Sequence, residues 1–107
     1  HGFHIIETSN IFYIEADSNY SIFHLRDGTK LVISKPLKEF EDILDTADFA
    51  RIHKSAIVNL NYIQSYSNKH GFEVKLDNDI VLSVSRRRSA EFQEKVRSYL
   101  QGKKLNS

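Results

Sequence analysis

The chain has 107 residues, no cysteine and a net charge of +1, and its 40% hydrophobic residues include seven Phe and five Tyr. These values fit one folded domain with a single core, and the absence of cysteine excludes disulfide frameworks, thiol nucleophiles and cysteine metal sites. No apolar run approaches the ~20 residues of a membrane span and no signal peptide is visible, so we expect a cytoplasmic protein that contacts no membrane.

The charge is unevenly distributed along the chain. Residues 1–50 hold nine acidic and four basic side chains, a net of −5, whereas residues 51–107 hold eleven basic and five acidic ones, a net of +6. Because the local field rather than the total charge steers a charged partner, the second half is a candidate surface for a polyanion.

The first half of the chain alternates short apolar runs with turn signals. The predicted elements are strands over 11–16, 20–26 and 30–34, followed by a helix over 36–44. Asp27-Gly28 is a strong hairpin signal, and Pro36 suits the first position of a helix. The helix places one apolar stripe against a run of acidic residues, which predicts one buried face.

The second half continues as strands and closes with a helix. Strand patterns run over 49–53, 56–59, 62–66, 72–76 and 80–85, and apolar residues at helical spacing follow from Phe92 to Leu100. The strands are separated by two to five residues, which favours antiparallel hairpins over βαβ crossovers. The predicted fold is therefore mostly β, with two small helices covering open faces of the sheets.

Arg86, Arg87 and Arg88 form an unbroken basic run between the last strand and the C-terminal helix. If the helix starts just after Ser85, the arginines occupy its first turn, where cations are unfavourable and a polyanion would compensate them. If Ser89 instead caps the helix, the arginines form a solvated connector. The run alone leaves both interpretations open.

Four blocks of the sequence match a known family in order and spacing. They are Ile14-Glu15-Ala16, Leu37-Lys38-Glu39-Phe40, the stretch from Arg51 to Asn59, and Val84-Ser85-Arg86-Arg87. Together they resemble the LytTR domain, the DNA-binding output module of many bacterial response regulators, from about residue 11 to residue 100. Lys54 stands where that family commonly has Arg, and Pro36 replaces the usual residue before the first helical leucine.

The resemblance implies an elongated fold of about ten strands in three antiparallel sheets, with one short internal helix and a C-terminal helix. It implies that three loops enter the major groove of double-stranded DNA. Residues that match the base-reading positions are Tyr20, Lys54 and Arg86, and those that match backbone-contacting positions are Asn19, His53, Ser55, Ser85, Arg87 and Arg88. Arg and Lys pair well with guanine O6 and N7, while Ser, Asn and Tyr more often hold phosphate.

The resemblance also implies a larger protein. The chain opens with His1-Gly2 and contains no Met, so we expect residues 1–107 to be a single domain taken from a longer chain. An N-terminal receiver or sensory domain would then regulate it as the output domain of a two-component transcriptional regulator, promoting dimers on direct repeats. No cofactor is expected.

Several of these residues have a purely structural alternative. For Arg51 an ion pair with an acid at the edge of the core is favoured over contact with DNA. His53 is equally compatible with a hydrogen bond to a carbonyl of its loop. Asn59 is expected to anchor a turn through its amide, and Tyr20 is alternatively the first packed residue of its strand.

Other function classes are less well supported. His53 and Ser55 share a strand face, but no orienting acid or pocket accompanies them, so we expect no enzyme. His1 and His4 make a poor metal pair because a third ligand is missing, so no metal site is expected. An RNA module would display exposed aromatics, whereas the aromatics here fall mostly in apolar strand patterns.

The alternative with most support is a protein-interaction module. It would use an exposed strand edge, or the acidic helical segment 36–48 facing a basic partner. In that case charge reversal at Glu41 or Asp45 would leave the DNA affinity of the domain nearly unchanged.

Overall fold

The computed structural model describes residues 5–44, 48–69 and 71–106, with the backbone alone from 103 onward. The strands are β1 Ile11–Asp17, β2 Tyr20–Leu25, β3 Lys30–Ile33, β4 Phe49–His53, β5 Ala56–Asn59, β6 Ile63–Ser67, β7 Phe72–Leu76 and β8 Val81–Val84. The helices are α1 Leu37–Ile43 and α2 Ser89–Asn106, and 3-10 turns cover Thr8–Asn10, Leu60–Tyr62 and Arg86–Arg88. Every predicted strand is confirmed, with ends that differ by one residue at most.

The strands of the described residues form two antiparallel sheets rather than three. Sheet A has the order β3-β2-β1-β5-β4, and sheet B has the order β6-β7-β8. The prediction of about ten strands in three sheets was wrong in detail for a physical reason. Strand β1 pairs with β2 on one side and with β5 on the other, which joins the first meander and the β4–β5 hairpin into one sheet.

Sheet A divides the core into two clusters, where the composition had indicated one. The first cluster packs α1 against one face of sheet A and includes Ile14, Phe23, Leu37 and Ile57. The second cluster fills the space between the other face of sheet A, sheet B and α2. All four residues of β5 are buried, since Ile57 contributes to the first cluster and Val58 to the second.

The second cluster places α2 beside sheets A and B. Phe92 and Val96 of α2 are buried with Val58 of β5 and Val74 of β7. At roughly 1.5–3 kcal/mol for each fully buried large apolar side chain, these contacts fix the helix firmly to both sheets. The segment that precedes α2 is therefore held close to the ends of β4 and β8.

The turns and helix ends agree with the sequence pattern, with small differences. Gly28 has φ +90° in the predicted hairpin, and Asp79 takes φ +67° in the turn between β7 and β8. Pro36 has an extended backbone and precedes α1 instead of opening it. The domain measures 42 × 32 × 25 Å. None of the described helices combines the length and apolar character needed to cross a bilayer.

Candidate nucleic-acid interface

The residues singled out by the sequence lie on three loops at the ends of neighbouring strands. We define loop 1 as residues 17–20 between β1 and β2, loop 2 as residues 53–55 between β4 and β5, and loop 3 as residues 85–88 between β8 and α2. Each loop thus starts from a strand that belongs to one of the two packed sheets.

Backbone hydrogen bonds connect the three loops. The N–H of Ala16 donates to the carbonyl of Ser55 at 2.9 Å, which places the start of loop 1 beside loop 2. The N–H of Ser85 donates to the carbonyl of Ile52 at 2.8 Å, which places the start of loop 3 beside loop 2 from the other sheet. The structure therefore brings the three candidate loops together, with loop 2 in the middle.

Loop 1 is a two-residue turn that closes the β1–β2 hairpin. Asp17 pairs with Tyr20, and Ser18 adopts a left-handed φ of +55°. Asn19 is exposed and Tyr20 is 48% exposed, so Tyr20 is not the packed first residue of its strand. Both side chains are open to a ligand that approaches this end of the molecule.

Loop 2 is held by the side chain of Arg51. The Nε of Arg51 donates to the carbonyl of His53 at 2.7 Å, and Nη2 donates to the carbonyl of Lys54 at 2.5 Å. The backbone N–H of Ser55 donates to Nδ1 of His53 at 3.1 Å, so this hydrogen bond joins the imidazole to a loop N–H and not to the loop carbonyl that was expected. A neutral His53 with Nδ1 as acceptor carries its proton on Nε2, which makes that atom a donor.

These contacts separate the roles of the residues around loop 2. The side chain of Arg51 is only 13% exposed and forms an ion pair with Glu41, so its structural alternative is confirmed. Lys54 is exposed, whereas His53 and Ser55 are partly buried. The imidazole of His53 contacts the backbone N–H of Ser55, which is not the arrangement of a serine nucleophile and its base.

Loop 3 contains the arginine run, and its backbone is helical from the start. Arg86–Arg88 form a 3-10 turn directly after Ser85, and α2 continues it from Ser89. The hydroxyl of Ser89 donates to the carbonyl of Arg86 at 2.9 Å and so does not cap the helix N-terminus. Each interpretation is therefore right in part: the arginines form a helical turn directly after Ser85, but α2 itself starts at Ser89 and has Glu91 in its first turn.

The three arginines differ in their surroundings. Arg86 and Arg87 are exposed, whereas the side chain of Arg88 is 24% exposed and lies 3.6 Å from a carboxylate oxygen of Glu41. Cations in a first helical turn oppose the macrodipole, so a bound anion would stabilise this segment.

Glu41 of α1 is the residue that sequence reasoning misplaced. Its Oε1 accepts a hydrogen bond from Nη1 of Arg51 at 2.7 Å, and its Oε2 lies 3.6 Å from Nη1 of Arg88. The acid therefore faces the loops of its own domain. The sequence carries no local signal for this contact, because Glu41 and Arg51 are ten residues apart on different elements.

Asn59 has the structural role that the sequence predicted, and a second polar cluster lies on β1 and β2. The amide nitrogen of Asn59 donates to the carbonyl of Ile11 at 2.9 Å, and its oxygen accepts from the backbone N–H of Asn61 at 3.0 Å, which confirms its role as a turn anchor. Glu15 on β1 contacts Nε2 of His24 at 2.6 Å. The His24 ring stacks on Tyr13, whose pKa is raised by burial and, to a lesser extent, by the charge of Glu15.

Among residues 5–44, 48–69 and 71–106, no group of three or more His, Asp or Glu side chains is arranged to hold a metal ion. His1 and His4 lie outside the described residues, as does Asp45.

Comparisons with known proteins agree with this geometry. The model of the LytTr DNA-binding domain family matches residues 1–97. The CO-responsive transcriptional regulator RcoM of Rhodospirillum rubrum is 33% identical over 64 residues, which are 60% of this chain and 27% of that protein. The chain thus spans about a quarter of the length of that relative.

A solved structure gives the same result for the fold. It is a LytTr DNA-binding domain from a Bacillus cereus protein described as a methyl-accepting/DNA response regulator. It matches with a TM-score of 0.78 and 26% identity over 85% of this chain and 84% of that chain.

Proposed function

The chain belongs to the LytTR family of DNA-binding domains, and from that premise we propose that it binds double-stranded DNA sequence-specifically by inserting loops 1–3 into the major groove. The observation that supports the proposal is a pair of backbone hydrogen bonds, one from Ala16, next to loop 1, to Ser55 of loop 2, and one from Ser85 of loop 3 to Ile52, next to loop 2. They bring exposed cationic and polar side chains from two sheets to one end of the domain.

The residues have distinct proposed roles. Arg86 reads a base through its forked guanidinium, Lys54 reads a second base as a point charge, and Tyr20 contacts a base edge. Phosphate contacts, which set the register of the domain on the duplex, are assigned to Asn19, His53, Ser55, Ser85, Arg87 and Arg88. His53 contributes the Nε2 donor that its hydrogen bond to Ser55 leaves available.

The loops meet the physical requirements of base reading. A specific contact loses least conformational entropy when the side chain projects from a fixed backbone. Loop 2 is fixed by Arg51, and loop 3 is fixed by its 3-10 turn against α2. Arg86 and Lys54 therefore project from segments whose backbone is already ordered.

At the level of the whole protein, we propose that this domain is the output module of a cytoplasmic two-component transcriptional regulator. Another domain of the longer chain, a receiver or sensor, would receive the signal. That domain would promote dimerisation on direct repeats. The length of the RcoM relative outside the matched region is the supporting observation.

The rival function is a protein-interaction module. Its supporting observation is the outer strand β3 of sheet A, where Val32 is 62% exposed. The acidic helix supports it less, because Glu41 at its centre contacts Arg51 and Arg88.

Selection of bound duplexes from a random pool, followed by filter binding at two salt concentrations, tests the proposal. A DNA reader enriches one sequence, and its affinity falls with salt with a log-log slope near −0.9 per neutralised phosphate. A protein-interaction module enriches nothing and shows weak binding without sequence preference. An unenriched pool would therefore overturn the proposed function.

A further inference from the structure

We infer that Glu41 is a positioning residue for DNA recognition, which acts through Arg51 to set the shape of loop 2 and through Arg88 to hold loop 3 against it. This inference rests on the proposed function, since it assigns to α1 a part in the same interface. It also replaces the expectation that charge reversal at Glu41 leaves the DNA affinity nearly unchanged.

The guanidinium group of Arg51 connects loop 2 to α1. Its three donor groups are all engaged, since Nε and Nη2 donate to the carbonyls of loop 2 and Nη1 donates to Glu41. Two of these acceptors are neutral carbonyls, so the carboxylate of Glu41 is the charged acceptor in this set. A guanidinium that is 13% exposed needs such a partner, because an uncompensated buried charge is strongly unfavourable.

Without Glu41, Arg51 would lose its charged partner. Arg51 would regain hydration by turning toward solvent, and the carbonyls of His53 and Lys54 would lose their donors at the same time. Loop 2 would then stay connected to β4 and β5 but lose the two hydrogen bonds from Arg51, here called the clamp, that fix its backbone. Lys54 projects from this part of the loop, so its presentation to a base would become variable.

Glu41 also contacts Arg88 of loop 3. Oε2 of Glu41 lies 3.6 Å from Nη1 of Arg88, and Oε1 lies 4.0 Å from Nζ of Lys38. One acid thus separates cations from α1, β4 and loop 3 that would otherwise repel each other. Because Arg88 adjoins the base-reading candidate Arg86, the same carboxylate contributes to the placement of both loops.

A purely electrostatic role of Glu41 and a positioning role predict opposite changes in DNA affinity when this acid is removed. Removing an acid near a DNA-binding surface should strengthen binding to any duplex by reducing repulsion of the phosphates. A positioning role predicts instead that sequence-specific binding weakens while binding to random duplex does not.

The test compares Glu41→Ala with Asp42→Ala in the 107-residue chain. Both changes remove one negative charge from α1, and the Asp42 side chain is 69% exposed beside Lys38. The probes are the duplex selected by the unaltered chain and a random duplex of equal length. For Glu41→Ala we expect the dissociation constant for the selected duplex to rise about tenfold, with random duplex changed by less than about twofold.

Asp42→Ala should leave both constants within about twofold, and Glu41→Gln, which keeps an acceptor for Arg51, should recover part of the loss. Equal affinity of Glu41→Ala and Asp42→Ala for the selected duplex would overturn the inference. So would an equal loss on both duplexes, since that result indicates general damage to the fold.

A second measurement does not depend on DNA. Amide hydrogen exchange at Ser55 of loop 2 should quicken about tenfold in Glu41→Ala, while exchange at Tyr20 of loop 1 stays unchanged. Unchanged exchange at Ser55 would overturn the inference whatever the DNA results. If the unaltered chain selects no sequence, the proposed function fails, and the exchange measurement still decides the role of Glu41.

Discussion

Loops 1 and 2 lie side by side but are ordered in different ways. Loop 1 is a two-residue hairpin turn, in which Ser18 has a φ of +55° and the pairing of Asp17 with Tyr20 closes the strands. Loop 2 depends on Arg51, whose orientation depends in turn on Glu41 of α1. Adjacent parts of the proposed recognition surface are thus ordered by local turn geometry in loop 1 and by tertiary contacts in loop 2.

Substitution of Arg51, on which loop 2 depends and loop 1 does not, should produce the largest change in stability. Arg51→Met keeps much of the aliphatic stem but leaves Glu41 without its closest cation and two loop carbonyls without their donors. We expect the free energy of unfolding to fall by about 3 kcal/mol, measured by urea denaturation.

The control for this change is Arg97→Met on α2. Arg97 is 63% exposed and pairs with the exposed Glu94, so its loss should cost less than about 0.5 kcal/mol. If both methionine variants were equally stable, loop 2 would not depend on its clamp and the contrast with loop 1 would disappear.

Loop 3 lies beside loop 2, because Ser85 bonds the carbonyl of Ile52 and Arg88 lies close to Glu41, the partner of Arg51. Arg86→Ala should weaken binding to the selected duplex by roughly 1 to 3 kcal/mol and relax the choice at one base pair. Arg87→Ala should weaken all duplexes alike and reduce the salt slope by about one phosphate. Equal losses on selected and random duplex for Arg86→Ala would remove its base-reading role.

The local structure could be predicted from the sequence, whereas the tertiary contacts could not. Strand limits and turns were predicted because alternation and turn residues act over a few positions, as the Asp27-Gly28 hairpin illustrates. The pairing of β1 with β5 was not predicted, since β2, β3, α1 and β4 separate these two strands along the chain.

The candidate site shows the same division. Tyr20, Lys54 and Arg86 were predicted to read bases because each matches such a position in a short motif of the family. Glu41 was assigned to a partner-facing helix, because an acid in an amphipathic pattern gives no sign of which distant arginine it meets. Its contacts with Arg51 and Arg88 arise only once α1 has packed on sheet A.

A double-mutant cycle would sharpen the contrast between loops 1 and 2. If Arg51 presents Lys54, Arg51→Met and Lys54→Ala should be non-additive in selected-duplex affinity, with a coupling of about 1 kcal/mol. Arg51→Met and Tyr20→Phe should be additive within about 0.5 kcal/mol, because the backbone of loop 1 sets its own shape. Similar coupling in both cycles would indicate that the loops form one cooperative unit.

The smallest predicted effect concerns Ser18, where loop 1 has a backbone conformation that glycine adopts without cost. Ser18→Gly should raise the free energy of unfolding by about 0.5 kcal/mol, because relief of the left-handed strain slightly exceeds the greater entropy of the unfolded chain. Ser83→Gly in β8 is the matched control and should lower it by about 0.5–1 kcal/mol, since strand glycine is only destabilising. A stabilised Ser18→Gly with unchanged exchange at Ser55 would show that loop 1 is ordered by its own turn, independently of the clamp that orders loop 2.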